Sequence, residues 1–278
     1  MITNQPFQVV KLLSSALLFS TAMAVHAAEP AVPEGYVSIY NGKGFENWML
    51  LSKDGKPETA IQVFSPGENG EIHVYQNFQD GFQLDQKIDD THAMMVSKKS
   101  YSRYSLKFEY KWGPKRLNNF GQWQYDAGLY YHMIDQKIWP AGLEFQIRYE
   151  HLNQTNYTGE LWDLGVSFTW EQCPDGCFIL PGKGGTVLTN KKWDHPAAAD
   201  AVVHGLVGQW NQCELIVMGG HYTIHKVNGK VVNHATALSK DTGPIAFQAE
   251  TAEIFYRNIR IKEFQADLPA EPFLKSDP

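Results

Sequence analysis

The chain has 278 residues, of which 13% are aromatic and 19% charged, with a formal net charge of -6. That length carries one large domain or two small ones with a real apolar core. The mildly acidic balance, with no block of Lys or Arg, argues against nucleic acid as a partner, and no solenoid-type repeat or low-complexity tract is present.

The first residues read as a secretory signal. Lys11 precedes the apolar run 12–24, and Val25-His26-Ala27 is a small-x-small cleavage site. Cleavage is expected after Ala27 or Ala28, giving residues 1–27 as signal peptide and a periplasmic or secreted mature protein free of the membrane. The run is short for a bilayer span. An uncleaved N-terminal anchor is the alternative, and no Cys stands where a lipid anchor would need one.

Beyond the signal, short alternating segments dominate, separated by Gly, Asn, Asp and Pro. "YSLKFEYKW" puts Leu106, Phe108, Tyr110 and Trp112 on one strand face and Lys107, Glu109 and Lys111 on the other. "AGLYYHMI" divides into Leu129, Tyr131 and Met133 against Tyr130, His132 and Ile134. "GLEFQIRY" is the clearest case, with Leu143, Phe145 and Ile147 opposing Glu144, Gln146 and Arg148. Residues 165–208 break this rhythm with Pro, Gly, Cys and Ala-rich stretches, so they are expected to form a long inserted loop beside the binding face. Within it Cys173 and Cys177, in "CPDGC", can close a small disulfide loop in an oxidising compartment. Cys213 lies in the alternation "CELIVM" and reads as a buried free thiol. Asn228-Gly229 marks a two-residue hairpin, and "EIFYRNIRIKEF" is a last long strand. Many antiparallel strands at this spacing predict an all-β, two-sheet sandwich of jelly-roll type over residues 34–266, followed by a tail at 267–278.

In a two-sheet sandwich one face of each sheet is core, so the polar faces point outward. Lys107, Glu109, Lys111, Tyr130, His132, Glu144, Gln146 and Arg148 are expected together on one open face. Rings cover the apolar side of a pyranose, while amides, carboxylates and guanidinium groups pair with vicinal hydroxyls. The mixture therefore points to carbohydrate.

"GYVSIYNGKGFENWML", "MMVSKKSYSRYSLKFEYKW", "DAGLYYHM", "GLEFQI", "TGELWDLG", "GQWNQCELIVMGGHYTIHKVNGKVV" and "GPIAFQAETAEIFYRNIRIKEF" follow one another in the order of the 3-keto-disaccharide hydrolase domain family. The chain resembles that family from Gly35 to Phe264, and "GLEFQI" and "YRNIRIKEF" are the more specific pieces. The resemblance implies a concanavalin A/laminin G-like jelly roll. It also implies an exported enzyme acting on glycosides oxidised at C3. There a C3 ketone acidifies the C2 proton, a base removes it, and the C1 substituent leaves by elimination before water adds. Such a route needs a base, an oxyanion stabiliser and a donor for the leaving oxygen.

Glu144 and His132 are the candidates for acid and base work. Gln146 and Arg148 are candidate substrate or oxyanion contacts, Arg148 having a rim ion pair as its alternative. Asp126, where the family often has Asn, is a polar ligand contact. Tyr130 and Trp162 are stacking platforms or packing residues, and Lys111, Asp163 and Gln248 complete the substrate contacts. His225 matches a family position and serves equally as a cross-strand structural group. Glu250 departs from the family, which commonly has His there. Asp126, His132, Glu144 and Glu250 are suitable ligand types for a divalent ion that could polarise a ketone, although they follow no metal-binding spacing. Two rival readings stand beside the enzyme: a lectin-like binding jelly roll on the same face, and an ordinary glycosidase. The latter needs two close carboxylates, whereas Glu144 and Glu150 lie about 20 Å apart along an ideal strand. The sequence leaves the oligomeric state open.

Overall fold

The structure, a computed structural model, describes residues 32–79, 91–117, 120–189 and 208–277. The predicted signal peptide and residues 190–207 of the inserted region lie outside them. In chain order the elements are β1 (Val37–Ser38), β2 (Trp48–Ser52), α1 (Pro57–Val63), β3 (Phe64–Pro66), β4 (Ile72–Val74), β5 (Ala93–Ser97), β6 (Arg103–Arg116), β7 (Tyr125–Tyr131), β8 (Leu143–Glu150), β9 (Thr155–Asn156), β10 (Leu161–Asp163), β11 (Thr169–Gln172), β12 (Thr186–Thr189), β13 (Asn211–Met218), β14 (Tyr222–Val227), β15 (Lys230–Thr236), β16 (Ala246–Ala249) and β17 (Ala252–Glu263). Among the described residues they build two antiparallel sheets. A ten-stranded sheet runs β12-β11-β15-β14-β13-β6-β17-β4-β3 with β1 also on β17. A seven-stranded sheet runs β10-β8-β7-β16-β5-β2 with β9 on β8. This is the expected jelly roll.

The core lies between the sheets and is made by period-two alternation. From the seven-stranded sheet come Leu129 and Tyr131 of β7, Leu143, Phe145 and Ile147 of β8, and Phe247 of β16. From the ten-stranded sheet come Leu106, Phe108 and Tyr110 of β6 and Leu215 and Val217 of β13. Phe108 meets Phe145 and Phe247 edge-on, with ring centroids 5.8 and 5.4 Å apart. Each such side chain gains about 1.5–3 kcal/mol from burial, which pins the register of β8. A one-residue slip would put Glu144 and Gln146 into that core.

Two expectations are revised here. Strand β6 pairs with β13 and β17 in the ten-stranded sheet, so Lys107, Glu109 and Lys111 face outward on the side of the sandwich opposite to Glu144. Alternation assigns a side chain to a face but does not assign the strand to a sheet. The described part of the 165–208 insertion adds β11 and β12 to the edge of that same ten-stranded sheet, through β15. Its Cys173 and Cys177 form the disulfide, and Cys213 is the buried free thiol. The C-terminal segment is a strap: Ala270, Phe273 and Leu274 pack on Ile216, Met218, Tyr222, Ile224 and Val231. There Lys226 Nζ donates to Asp277 Oδ1 and to the Lys275 carbonyl, both at 2.9 Å.

The outer face of the seven-stranded sheet is divided. Met49, Leu51, Met94, Val96, Tyr130 and Ala246 form an apolar half, which Met133, Ile138, Trp139 and Leu164 cover. Met133, Ile138 and Trp139 belong to the β7–β8 connection, residues 132–142, which folds back over the sheet. The polar half stays accessible beside it.

Candidate active site

The uncovered half is a cleft of about 340 Å3 lined by Asp126, Tyr130, Trp139, Glu144, Gln146, Arg148, Trp162, Leu164, Gln248 and Glu250. Its layout follows from strand register. Trp162 of β10, Glu144 of β8, Tyr130 of β7 and Ala246 of β16 form one row across the strands, and Arg148 and Asp126 are partners in a parallel row. Gln146 faces Gly128 between them.

Gly128 is required by the close approach of Glu144. A Cβ there would stand 2.9 Å from the Glu144 Cδ and 3.0 Å from its Cγ. Glu144 lies across β7 and accepts a hydrogen bond from Tyr130. It is 5% exposed. Burial first, and then the charge of Glu250, push its carboxyl from the ordinary 4.5 up to about 8, against the opposing Tyr130 hydrogen bond and the Arg148 charge. Asp126 is pushed well above the carboxylate range by burial and by Glu250, with Arg148 opposing. Burial and the Glu144 charge likewise raise the Tyr130 phenol. Glu144 and Asp126 therefore share one cleft with Glu250, and burial and that neighbouring charge make both hold their protons more tightly.

Gln146 Nε2 donates to Asp126 Oδ1 at 2.5 Å and to the Ala127 carbonyl at 3.1 Å. Arg148 Nη2 donates to Glu160 Oε2 at 3.0 Å, and Trp162 Nε1 donates to the same oxygen at 3.1 Å. The guanidinium lies over Trp123 at 4.0 Å and beside Trp162 and Tyr157 at 5.2 and 5.3 Å. Arg148 is thus the centre of an aromatic cage rather than a rim ion pair. Gln248 is 2% exposed and its Oε1 has no hydrogen-bond partner.

Asp126, Tyr130, Glu144, Gln146, Arg148, Trp162, Gln248 and Glu250 are brought together as expected. His132 is not. It follows the last residue of β7 and has φ +49°, so the alternation that would have put it beside Tyr130 ends there. It is fully buried, and its Nε2–H donates to the Gly219 carbonyl at 3.0 Å, in the turn between β13 and β14. Burial pulls its pKa down to about 4. Asp163 also falls outside the cleft: it shares the inward parity of Leu161 and accepts from the Gly165 backbone N–H at 2.6 Å. Lys111 lies on the other sheet, its Nζ 4.6 and 4.4 Å from the ring centroids of Trp210 and Phe255. His225 is a core group, with Nδ1 donating to the Gly159 carbonyl at 2.9 Å and Nε2 accepting from Tyr131 at 3.0 Å. With His132 removed, the proposed ligand set does not converge. Among the described residues no three His, Cys, Asp or Glu side chains are placed to hold a metal ion.

The reading from sequence omitted Trp123, Trp139, Tyr157, Glu160 and Leu164. Glu160 and Leu164 share the parity of Trp162, so that signal was present. Trp139, with φ +53°, and Trp123, with φ +58°, lie in connections where no periodicity points to them.

A two-sheet jelly roll with an acid-lined, aromatic-walled cleft on one outer face fits a carbohydrate-active protein, and the family match supports that class. The chain matches the 3-keto-alpha-glucoside-1,2-lyase-like domain over residues 35–262 and belongs to that family. No curated protein matches it in sequence. Similar solved structures include two from Parabacteroides distasonis ATCC 8503, each described as a "putative glycosyl hydrolase". One has 17% identity and a TM-score of 0.50, covering 82% of this chain and 99% of that one. The other has 17% identity and a TM-score of 0.49, covering 84% and 95%. A GlcNAcα1-4Gal-releasing endo-β-galactosidase from Clostridium perfringens has 11% identity and a TM-score of 0.47, covering 87% and 66%. At these identities the likeness concerns the fold.

Proposed function

We propose that the protein is an exported enzyme that cleaves 3-keto-glycosides by removing the C2 proton and expelling the C1 substituent. Family membership supports the substrate class. The observation that carries the chemistry is Glu144, a buried carboxyl with its pKa pushed up to about 8 beside a second carboxyl that keeps its proton. A carboxylate raised this far is a stronger base than an ordinary one and closer in pKa to the working pH.

Ionised Glu144 takes the C2 proton, and the electron pair moves into the C3 carbonyl to give an enolate. The enolate then reforms the ketone as the C1–O1 bond breaks, leaving a C1–C2 double bond. Protonated Asp126 donates its proton to the departing oxygen. Water adds across the double bond and returns the free 3-keto sugar. Trp139 and Trp162 wall the cleft and restrict water around the carboxyls. Activity rises with pH toward about 8, as Glu144 ionises, and falls once Asp126 loses its proton. The segment 1–27, with Lys11 ahead of an apolar run and a small-x-small end, supports export.

The test offers purified protein a panel of 3-keto-glycosides beside their unoxidised parents and follows products by mass. Cleavage confined to the oxidised members is expected; cleavage of the parents alone refutes the proposal. Glu144→Gln should lose turnover and keep sugar affinity. A binding module would show affinity and no turnover in the native protein.

A further inference from the structure

The route proposed above needs three groups, and two have been placed: Glu144 takes the C2 proton and Asp126 protonates the leaving oxygen. The third must meet the C3 oxygen while it carries the enolate charge. Several donors of the cleft are spent within the protein. The Gln146 amide is on Asp126 and Ala127, the Trp162 indole on Glu160, and the Tyr130 hydroxyl on Glu144. Arg148 differs. Its Nη2 donates to Glu160 at 3.0 Å, but its Nε is buried and has no hydrogen-bond partner. Leaving such a donor unspent costs about 1–3 kcal/mol, and a ligand oxygen placed there recovers it.

Position and charge point the same way. Arg148 and Asp126 are cross-strand partners, a relation that sets Cβ atoms about 4.5–5.5 Å apart. Glu144 has crossed β7 to lie over Gly128, two residues and about 6.5 Å along that strand from Asp126. The base thus approaches the Asp126–Arg148 pair from one side. C1 and C3 flank C2 in the same manner. With the C2 proton toward Glu144, the C1 oxygen falls to Asp126 and the C3 oxygen to Arg148. The guanidinium is caged by Trp123, Tyr157 and Trp162 and paired with Glu160. Its side chain is 11% exposed, so it is fixed and largely dry before substrate arrives. Its positive charge already reaches the floor of the cleft, where it favours the ionised forms of Asp126 and Glu144.

We propose that Arg148 is the oxyanion-stabilising residue of this reaction, its Nε–H donating to the C3 oxygen as the carbonyl becomes an enolate. The proton stays on nitrogen throughout. The hydrogen bond strengthens as charge builds on oxygen and weakens when the ketone reforms. The orientation of the sugar follows. Gln248, on β16 at the other side of β7, is almost wholly buried, and its Oε1 has no partner. That oxygen requires a donor, which a ketone is not. The oxidised carbon therefore faces β8, and a hydroxyl-bearing part of the substrate faces β16. This inference rests on the cleft being where 3-keto-glycosides are cleaved.

Two variants and two probes test it. Arg148→Lys keeps a cation and loses the rigid fork. Arg148→Met combined with Glu160→Gln removes both charges and leaves neither buried alone, so it decides the matter if the Lys variant does not fold. The 4-nitrophenyl 3-keto-glucosides, α and β, carry a leaving group that departs without a proton, so elimination no longer depends on Asp126. 3-Keto-1,5-anhydroglucitol has no exocyclic leaving group at C1, and deuterium uptake at its C2 in D2O reports enolate formation alone. In Arg148→Lys, kcat is expected to fall about tenfold or more, and in the double variant about 10²–10³-fold. KM should stay within about threefold, and C2 exchange should fall alongside kcat. An unchanged kcat, or a raised KM at constant kcat, overturns the assignment of Arg148 alone, since the native protein still exchanges and cleaves. If the native protein does neither, the 3-keto-glycoside reading fails and this inference with it.

Discussion

Glu144→Gln should inactivate the protein and at the same time stabilise it at alkaline pH. In the unfolded chain the carboxyl titrates near 4.5, and in the cleft near 8. Below about pH 4.5 both states hold the proton and the group is neutral to stability. Between these values the unfolded chain releases its proton while the fold retains it, so stability falls as pH rises. Above about 8 the loss is complete. At ~1.4 kcal/mol per pKa unit, the rise destabilises the fold by roughly 5 kcal/mol above pH 8 and roughly 3 kcal/mol at pH 7. These figures are ceilings, since side chains and water relax around a charge. Gln fills the same space over Gly128 and still accepts from Tyr130, so it loses the titration and little packing. Urea midpoints of native and variant protein at pH 5, 7 and 9 give the gap directly. It should be small at pH 5 and widen in favour of the variant by pH 9. A gap that does not change with pH, or a variant weaker than native at pH 9, refutes the account of why this carboxyl is raised.

Gly128→Ala drives a methyl into the Glu144 carboxyl, which must move by about 1 Å. Turnover should fall about 10²-fold with a stability loss near 1 kcal/mol; unchanged kinetics would show that Glu144 is not held by β7. Arg148→Met leaves Glu160, itself 2% exposed, without its cation. It should cost about 3–5 kcal/mol by thermal melt, and Arg148→Lys clearly less; equal losses argue that the aromatic stacking, not the charge, is what matters. Cys173→Ser with Cys177→Ser opens a loop of four-residue separation and should lower stability by about 2 kcal/mol or less. Because the disulfide lies on the far sheet edge, kcat/KM should not change, and a drop there contradicts the placement of the insertion.

The fold was legible because period-two alternation is imposed by burial, and burial recurs on nearly every strand. Glu144, Gln146 and Arg148 were found for the same reason: their neighbours Leu143, Phe145 and Ile147 are fully buried, so their own direction was settled. Lys111 went astray because the alternation of β6 is equally clean, yet a strand's partners depend on contacts distant in sequence. His132 failed locally, since one left-handed residue cancels parity from that point on. Asp163 fits its parity: it lies on the side of Leu161, and the acid type was read where its position mattered more. The disulfide was visible through the turn chemistry of Pro174, Asp175 and Gly176. Trp123 and Trp139 were invisible, as their places are set by the connections that carry them.

Residues 132–142 give this sheet face its chemistry. Without them the outer surface of β7, β8 and β16 would be an open, solvated face like the outer side of β6, where Lys107, Glu109 and Lys111 lie. The connection instead buries the apolar half under Met133, Ile138 and Trp139, and Trp139 becomes one wall of the cleft. Water is thereby restricted on one flank of Glu144 and Tyr130. Burial is the largest cause of both raised pKa values, so a loop that contributes only Trp139 to the cleft lining is part of the reason the carboxyl stays protonated. Crowding by Glu250 then acts in a medium where charge is poorly screened. The order matters: on a wet sheet face Asp126 and Glu144 would lose the burial that raises them most, and Glu144 would be a weak base.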